Sequence, residues 1–436
     1  VAAWAVNVAD YPDLQAALDA HPGQVLPLPA GDYPISRKLV LRGDGAGLSG
    51  PGRIIQSNPE EPILEIEGLK DVLLRDVTLT RAPGKTVARK SGLLAIRCAY
   101  LRVDQVRILD NQSATGALAL RECRFARITG CLVRNYMRVS VDDRTRSLEW
   151  GYAFNCTDGT GIQVTASQGT LIEGNTVVEE VFRPTKEMKE KHQLGVWTKK
   201  NPTKGTFLSQ ATWDAGYTDN WQQGSGIIVT APEASDLTRI LGNHVENAAQ
   251  GIDLHADHVI LAHNVITNCF MGMKAMHGSR NVLITGNQFS KNDLWSIGLM
   301  PGTSAHGATA ATDGKPARGA NVDGHTIVAN NIISDFGYGN ARWIWSQEAG
   351  SVAPIRIDGG PLPENPALSD VLFQGNIIYD TGRDQIVVDG RPRVEPPRYK
   401  FAVRIESGPG APRGLHFTNN LFHPGTDGIS NAELAP

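Results

Sequence analysis

A chain of 436 residues exceeds the size of one compact hydrophobic core, so it must be several domains or a repeat architecture. Its composition, 41% apolar and 20% charged with a formal net charge of −3, suits a folded protein and argues against a general nucleic-acid binder. No run of about 18 apolar residues exists, so neither a spanning helix nor a membrane partner is expected.

The first element in chain order is a short helix. Residues Asp13 to Ala20 place Leu14, Ala17 and Leu18 on one face, with Pro12 at the start and Gly23 past the end. The segment PLPAGDYPISRKLVL follows, with strand character on both sides of a turn. From there a phrase of the form apolar-x-x-Gly/Asn-Asn-x-apolar recurs. It reads LIEGNTV at Asn175, RILGNHV at Asn243, ILAHNVI at Asn264 and LITGNQF at Asn287, then IVANNII at Asn331, LFQGNII at Asn376 and HFTNNLF at Asn420. Weaker forms lie near Val77, Val106 and Cys131. The steps from Asn243 are 21, 23, 44, 45 and 44 residues, which a unit of about 22 explains singly or doubled.

A fixed period in this range means a solenoid. Each phrase is strand-like, and three short strands per unit of about 22 residues fit a parallel β-helix. The repeated Asn is read as structural, its amides hydrogen-bonding along a ladder inside a turn. The N-terminal helix then acts as the cap that an open solenoid end requires, over about residues 1–35. The expected fold is all-β: one right-handed parallel β-helix domain over residues 1–436. Insertions break the period at about 138–160, 183–224, 301–323, 338–352 and 389–400, and in a solenoid these become loops, often on the binding face. The second is basic, with Lys186, Lys189, Lys191, Lys199, Lys200 and Lys204. The five cysteines, Cys98, Cys123, Cys131, Cys156 and Cys269, form no C-x-x-C pair and read as buried and reduced.

Taken together, these features resemble the pectin-lyase-like superfamily of right-handed parallel β-helices, across the whole chain at the level of fold. The resemblance implies a carbohydrate-active enzyme, secreted or periplasmic, but fold alone does not assign function.

A second strand precedes each Asn phrase. These strands read GIQVTA from Gly161, GIIVTA from Gly226, GIDLHA from Gly251, GMKAMH from Gly272, SIGLMP from Ser296, PIRIDG from Pro354 and AVRIES from Ala402. Positions two and four are apolar and face inward, so positions three and five face out. Position three carries Gln163, Ile228, Asp253, Lys274, Gly298, Arg356 and Arg404. Position five carries Thr165, Thr230, His255, Met276, Met300, Asp358 and Glu406. Stacked strands lie about 4.8 Å apart, so Asp253, His255 and Lys274 are expected in one solvent-facing patch.

A uronic acid has a weakly acidic proton at C5, alpha to its carboxylate. Removing it takes a cation on the carboxylate and a base at the proton. Lys274, Arg356 and Arg404 could supply the cation, and His255, a residue type that titrates near neutral pH, the base. Lys274 is the rival base, but a neighbouring carboxylate such as Asp253 favours the charged form of a lysine. Tyr217 is the acid candidate, flanked by Trp213 and Trp221 as subsite walls, and His277 stands beyond Lys274 at a bend.

Asp253-Leu254-His255-Ala256-Asp257 resembles the Asp-Pro-His-Asp motif of β-helical alginate C5-epimerases. The resemblance implies a carboxylate-neutralising role for Asp253 and acid/base work for His255. Leu254 and Ala256 depart from the pattern, so two residues match in register. The reading is therefore a polysaccharide lyase working by C5-proton abstraction and β-elimination on an acidic polysaccharide. A mannuronan-type epimerase, a glycoside hydrolase and a non-catalytic carbohydrate-binding β-helix are the alternatives. A hydrolase needs a carboxylate pair about 5–10 Å apart, for which Asp253 with Asp257, or Asp358 with Glu406 on non-adjacent rungs, are the candidates. No EF-hand loop is present, and a calcium requirement stays open.

Overall fold

A computed structural model describes residues 6–147, 151–180, 221–222, 224–339, 352–360, 362–379, 387–388, 390–392, 396–406 and 410–436. Helix α1 (Leu14–Ala20) opens the fold. Asp13 caps it by accepting the amide of Ala16, and Leu14, Ala17 and Leu18 are buried against the first coils, as the helical face predicts.

Every later coil contributes one short strand to each of three parallel sheets of twelve strands. The first sheet runs from Val25–Pro27 to Arg413–Thr418, the second from Asp32–Ile35 to Leu421–Phe422, and the third from Leu39–Val40 to Gly428–Ser430. Strands of two to six residues suffice because all but the end strands are paired on both sides by their neighbours in the stack. The core is a column of Leu, Ile and Val from successive coils, with Ile252, Leu254, Met273 and Ile297 fully enclosed beneath the third sheet.

The Asn phrase sits at the turn between the first and second sheets, and the predicted ladder is present. Asn175, Asn243, Asn264, Asn287, Asn331, Asn376 and Asn420 stack in one column. Each side-chain Oδ1 accepts both the backbone N–H and the Nδ2–H of the preceding Asn at 2.9–3.1 Å. The last rung repeats the pattern, with Asn420 Oδ1 accepting both donors of Asn376 at 2.9 and 3.0 Å. Upstream the column continues as Cys131, whose N–H donates to Asn175 Oδ1 at 2.9 Å. The ladder corrects one reading of the period. Asn287, Asn331, Asn376 and Asn420 are direct neighbours, so each step of 44 or 45 residues is one coil carrying an insertion, not two coils.

Three of the insertions show described structure. Arg138–Ser147 and Gly151–Asp158 form an antiparallel hairpin, joined by Trp221–Gln222. Val387–Val388 and Arg391–Pro392 form a small hairpin. Residues 301–323 form a third, bridged at His306–Asn321, Thr309–Arg318 and Thr312–Lys315. Cys98, Cys123, Cys131 and Cys269 are buried and free.

Candidate active site

The outer face of the third sheet carries the charged column. Backbone register pairs Gln163 with Ile228, Ile228 with Asp253, Asp253 with Lys274, Lys274 with Gly298, Gly298 with Arg356 and Arg356 with Arg404. The expectation that this face looks freely into solvent is corrected. The side chains of His255 and Lys274 are each 12% exposed, and that of Asp253 is 5% exposed. The cover comes from elsewhere in the chain. The 301–323 hairpin folds back toward earlier coils, where its His306 Nε2 lies 3.2 Å from Glu233 Oε1 and its Arg318 bonds the same oxygen. Trp295 closes the other side. Its indole N–H donates to the Met273 carbonyl at 3.1 Å, and the ring lies over the space that Gly298 leaves empty. The guanidinium of Arg356 sits 5.3 Å from that ring.

Within this enclosure five side chains meet. His255 Nε2 lies 2.9 Å from Asp253 Oδ1, and Lys274 Nζ lies 3.5 Å from Asp253 Oδ2. The Thr230 hydroxyl, one coil earlier, is 3.0 Å from His255 Nδ1. The His277 ring stands edge-on to His255 with centroids 4.5 Å apart and planes at 84°. The contact between His255 and Asp253 is close but lies off the axis of the ring N–H, and neither atom has a directed hydrogen bond within the protein. Two such buried polar atoms facing one another without a directed bond call for an explanation.

The electrostatics follow from this packing. Burial would raise the Asp253 carboxyl, yet the charges of His255 and Lys274 outweigh it and hold the group at about 2. Asp253 is therefore a carboxylate at any working pH. Burial, reinforced by the charges of His255 and Lys274, pushes the His277 imidazole down to about 3, so that ring is neutral. The strand alignment put His255 in one patch with Asp253 and Lys274, but it left His277 at a bend and did not bring its ring against His255.

Arg356 and Arg404 lie further along the column, as expected, but each is engaged in its own coil. Arg356 Nε donates to Asp358 Oδ2 at 2.7 Å, and Arg404 Nη2 is 3.4 Å from Glu406 Oε1. Ile357 pairs with Ile405, so Asp358 and Glu406 stand on adjacent rungs, contrary to the separation expected from the sequence. The long interval between the two strands is one coil with an insertion. Burial, with a contribution from Glu406, raises the Asp358 carboxyl against the pull of Arg356 and Arg404.

Tyr217 and Trp213 lie outside the described residues. Trp221 belongs to the strand Trp221–Gln222, whose backbone pairs with the 138–158 hairpin. Among the described residues no group of three or more His, Cys, Asp or Glu is arranged to hold a metal ion, and no helix is long and apolar enough to cross a membrane.

Several solved structures share this architecture. The A-module of mannuronan C-5 epimerase AlgE6 from Azotobacter vinelandii matches with a TM-score of 0.53 at 13% identity, over 96% of this chain and 99% of its own. A family 28 exopolygalacturonase from Yersinia enterocolitica matches with 0.55 at 11% identity, over 97% and 75%. A hyperthermoactive exopolygalacturonase from Thermotoga maritima matches with 0.54 at 12%, over 93% and 85%. At these identities the likeness is one of fold. No curated protein matches the chain by sequence. The family described as "Right handed beta helix region" matches residues 64–299, more than half of the chain, and the chain belongs to that family.

Proposed function

We propose that this β-helix is a polysaccharide lyase that abstracts the C5 proton of a uronic acid within an acidic polysaccharide. The observation that carries the reading is the enclosed meeting of Asp253, His255, Lys274 and His277 on neighbouring coils of one face. Enclosure strengthens each charge, since fewer waters screen it. Lys274 pairs with the substrate carboxylate and draws off the negative charge that develops when the proton leaves. Asp253, ionised, favours a proton on the His255 nitrogen that faces it. The lone pair then sits on Nδ1, which the rotatable Thr230 hydroxyl occupies until substrate arrives. His255 Nδ1 takes the C5 proton, Asp253 stabilises the imidazolium, the freed electron pair forms the C4–C5 double bond, and the bond from C4 to the glycosidic oxygen breaks. The leaving oxygen needs a proton, for which Tyr217 remains the candidate donor. A secreted or periplasmic location fits a polymeric substrate.

A specific observation favours a second reading. Asp358 and Glu406 on adjacent rungs, one carboxyl raised by burial, have the makings of a hydrolase pair. Each is tied to an arginine, which counts against it as the reacting pair. Incubation with a panel of polyuronates and neutral glycans separates the two. A lyase generates ultraviolet absorbance from the unsaturated product, whereas hydrolysis releases reducing ends with no absorbance. Inversion at C5 without chain cleavage, read by proton NMR, would instead make the enzyme an epimerase using the same first step.

A further inference from the structure

Asp323 is a buried carboxyl that the reaction above does not use, and it lies at the foot of the 301–323 hairpin. Its two oxygens accept the amides of Gly278 and Ser279, each at 2.9 Å. Those residues directly follow His277, which holds a left-handed backbone at φ 62°. A non-glycine residue keeps that conformation only where its surroundings impose it.

The remaining bonds to His277 come from the same insertion. At the entering foot, the Ser304 amide donates to His277 Nδ1 at 3.2 Å. Gly302 passes so close that a Cβ there would lie 2.2 Å from the same nitrogen. At the leaving foot, Asn321 Nδ2 donates to the His277 carbonyl at 2.8 Å and to the Ser304 carbonyl at 2.8 Å, which ties the two feet together. An N–H aimed at Nδ1 requires a lone pair there, so the neutral ring carries its proton on Nε2. An insertion that merely covered the groove would have no need to grip one imidazole by its ring, its carbonyl and the two amides that follow.

We propose that Asp323 is a positioning residue: through the amides of Gly278 and Ser279 it holds His277 beside the Asp253–His255–Lys274 cluster as the tautomer protonated on Nε2. A neutral imidazole fixed in that form is a hydrogen-bond donor for the anionic oxygens of the reacting sugar, a role that rests on the C5-proton reading. The clamp itself does not rest on it.

The test uses the full chain labelled with 15N-histidine, with the His277 signals assigned by their loss in His277→Gln. In the wild type, two-bond proton–nitrogen correlations are expected to show the Nε2–H tautomer, with no conversion to imidazolium between about pH 5 and 8. In Asp323→Asn the amide NH₂ opposes one of the two backbone amides. The ring is then expected to mix tautomers, and turnover on a polyuronate to fall about 10–100-fold with KM changed far less. A wild-type His277 that is protonated on Nδ1, or that titrates like an exposed histidine, overturns the proposal without any variant and without any activity. An Asp323→Asn protein that keeps both tautomer and turnover overturns it equally. If the wild type attacks no polyuronate, the C5-proton reading falls, and the ring signals alone still decide whether Asp323 holds His277.

Discussion

His255 Nε2 lies 2.9 Å from Asp253 Oδ1 while its Nδ1 lies 3.0 Å from the Thr230 hydroxyl, so one ring nitrogen faces a carboxylate and the other makes a hydrogen bond. The carboxylate decides which of them is basic. With Asp253 held at about 2, the proton belongs on the nitrogen beside it, and the lone pair is left to Nδ1. Replacing Asp253 therefore disturbs the base itself.

His255→Ala is predicted to lower kcat on the order of 10²–10⁴-fold, the usual loss for a general base. Asp253→Asn is predicted to lose at least about 10²-fold, because an amide no longer dictates the tautomer of its partner. Because His255 is enclosed, removing it also strips Thr230 and Asp253 of a partner, and stability falls by about 1–3 kcal/mol in urea denaturation. A His255→Ala protein with most of its activity would move the base to Lys274 or Tyr217.

Lys274→Ala leaves the Asp253 carboxylate enclosed with less compensation, so a stability loss on the order of 3 kcal/mol is expected. KM for a polyuronate should rise and kcat fall together, since a carboxylate clamp acts in both ground and transition states. Wild-type KM should itself climb with ionic strength. Steady-state kinetics at low and high salt check both statements, and a KM indifferent to salt and to Lys274 would contradict them.

The pH dependence of stability should show two opposed slopes. His277 is depressed from 6.5 to about 3, so the unfolded chain takes up a proton that the folded one refuses, and stability is lost as pH falls from 6.5 toward 3. Asp323 is raised by burial from 3.8 to about 7, so the folded chain keeps a proton that the unfolded one releases, and stability is lost as pH rises from 3.8 toward 7. Each shift spans roughly three units, on the order of 4 kcal/mol, and the two largely cancel across the shared window. Asp323→Asn should unmask the acid-side loss, and His277→Gln the opposite slope. Parallel profiles for wild type and both variants would refute this.

The interior amide ladder gives a test of the fold. Asn264→Ala orphans the backbone and side-chain donors of Asn243 and removes a bond to the Ile240 carbonyl. The expected cost is on the order of 3 kcal/mol. Asn420, half-buried in the last rung of the ladder, should cost about 1 kcal/mol. Denaturant midpoints with unchanged slopes would measure the difference.

Much of this was legible in the sequence, and the rest was hidden for physical reasons. Strands one coil apart pair in fixed register, so aligning GIDLHA with GMKAMH placed Asp253 beside Lys274 correctly. The repeating Asn announced the ladder because a buried amide must be satisfied along the stack. Burial of the site was not legible, because the cover arrives from residues 302–323, whose docking partner Glu233 lies about three coils away in the chain. Asp323 and Asn321 carry no local pattern that links them to His277. The signal that could have been used was Gly298: a glycine in a column of charged side chains marks space for a large neighbour, and Trp295 fills it. Asp358 and Glu406 were set apart because an insertion within one coil resembles a second coil at a period of about 22 residues.

The central claim is that the enclosed cluster around His255 removes a C5 proton. Proton NMR of a polyuronate incubated with the enzyme in D₂O tests it most directly. Loss of the C5–H signal with growth of an olefinic C4–H signal, both absent with His255→Ala, is the predicted result. Chain cleavage that keeps every C5–H signal, yields no olefin and survives His255→Ala but not Asp358→Asn would contradict the claim and give the chemistry to the Asp358–Glu406 pair.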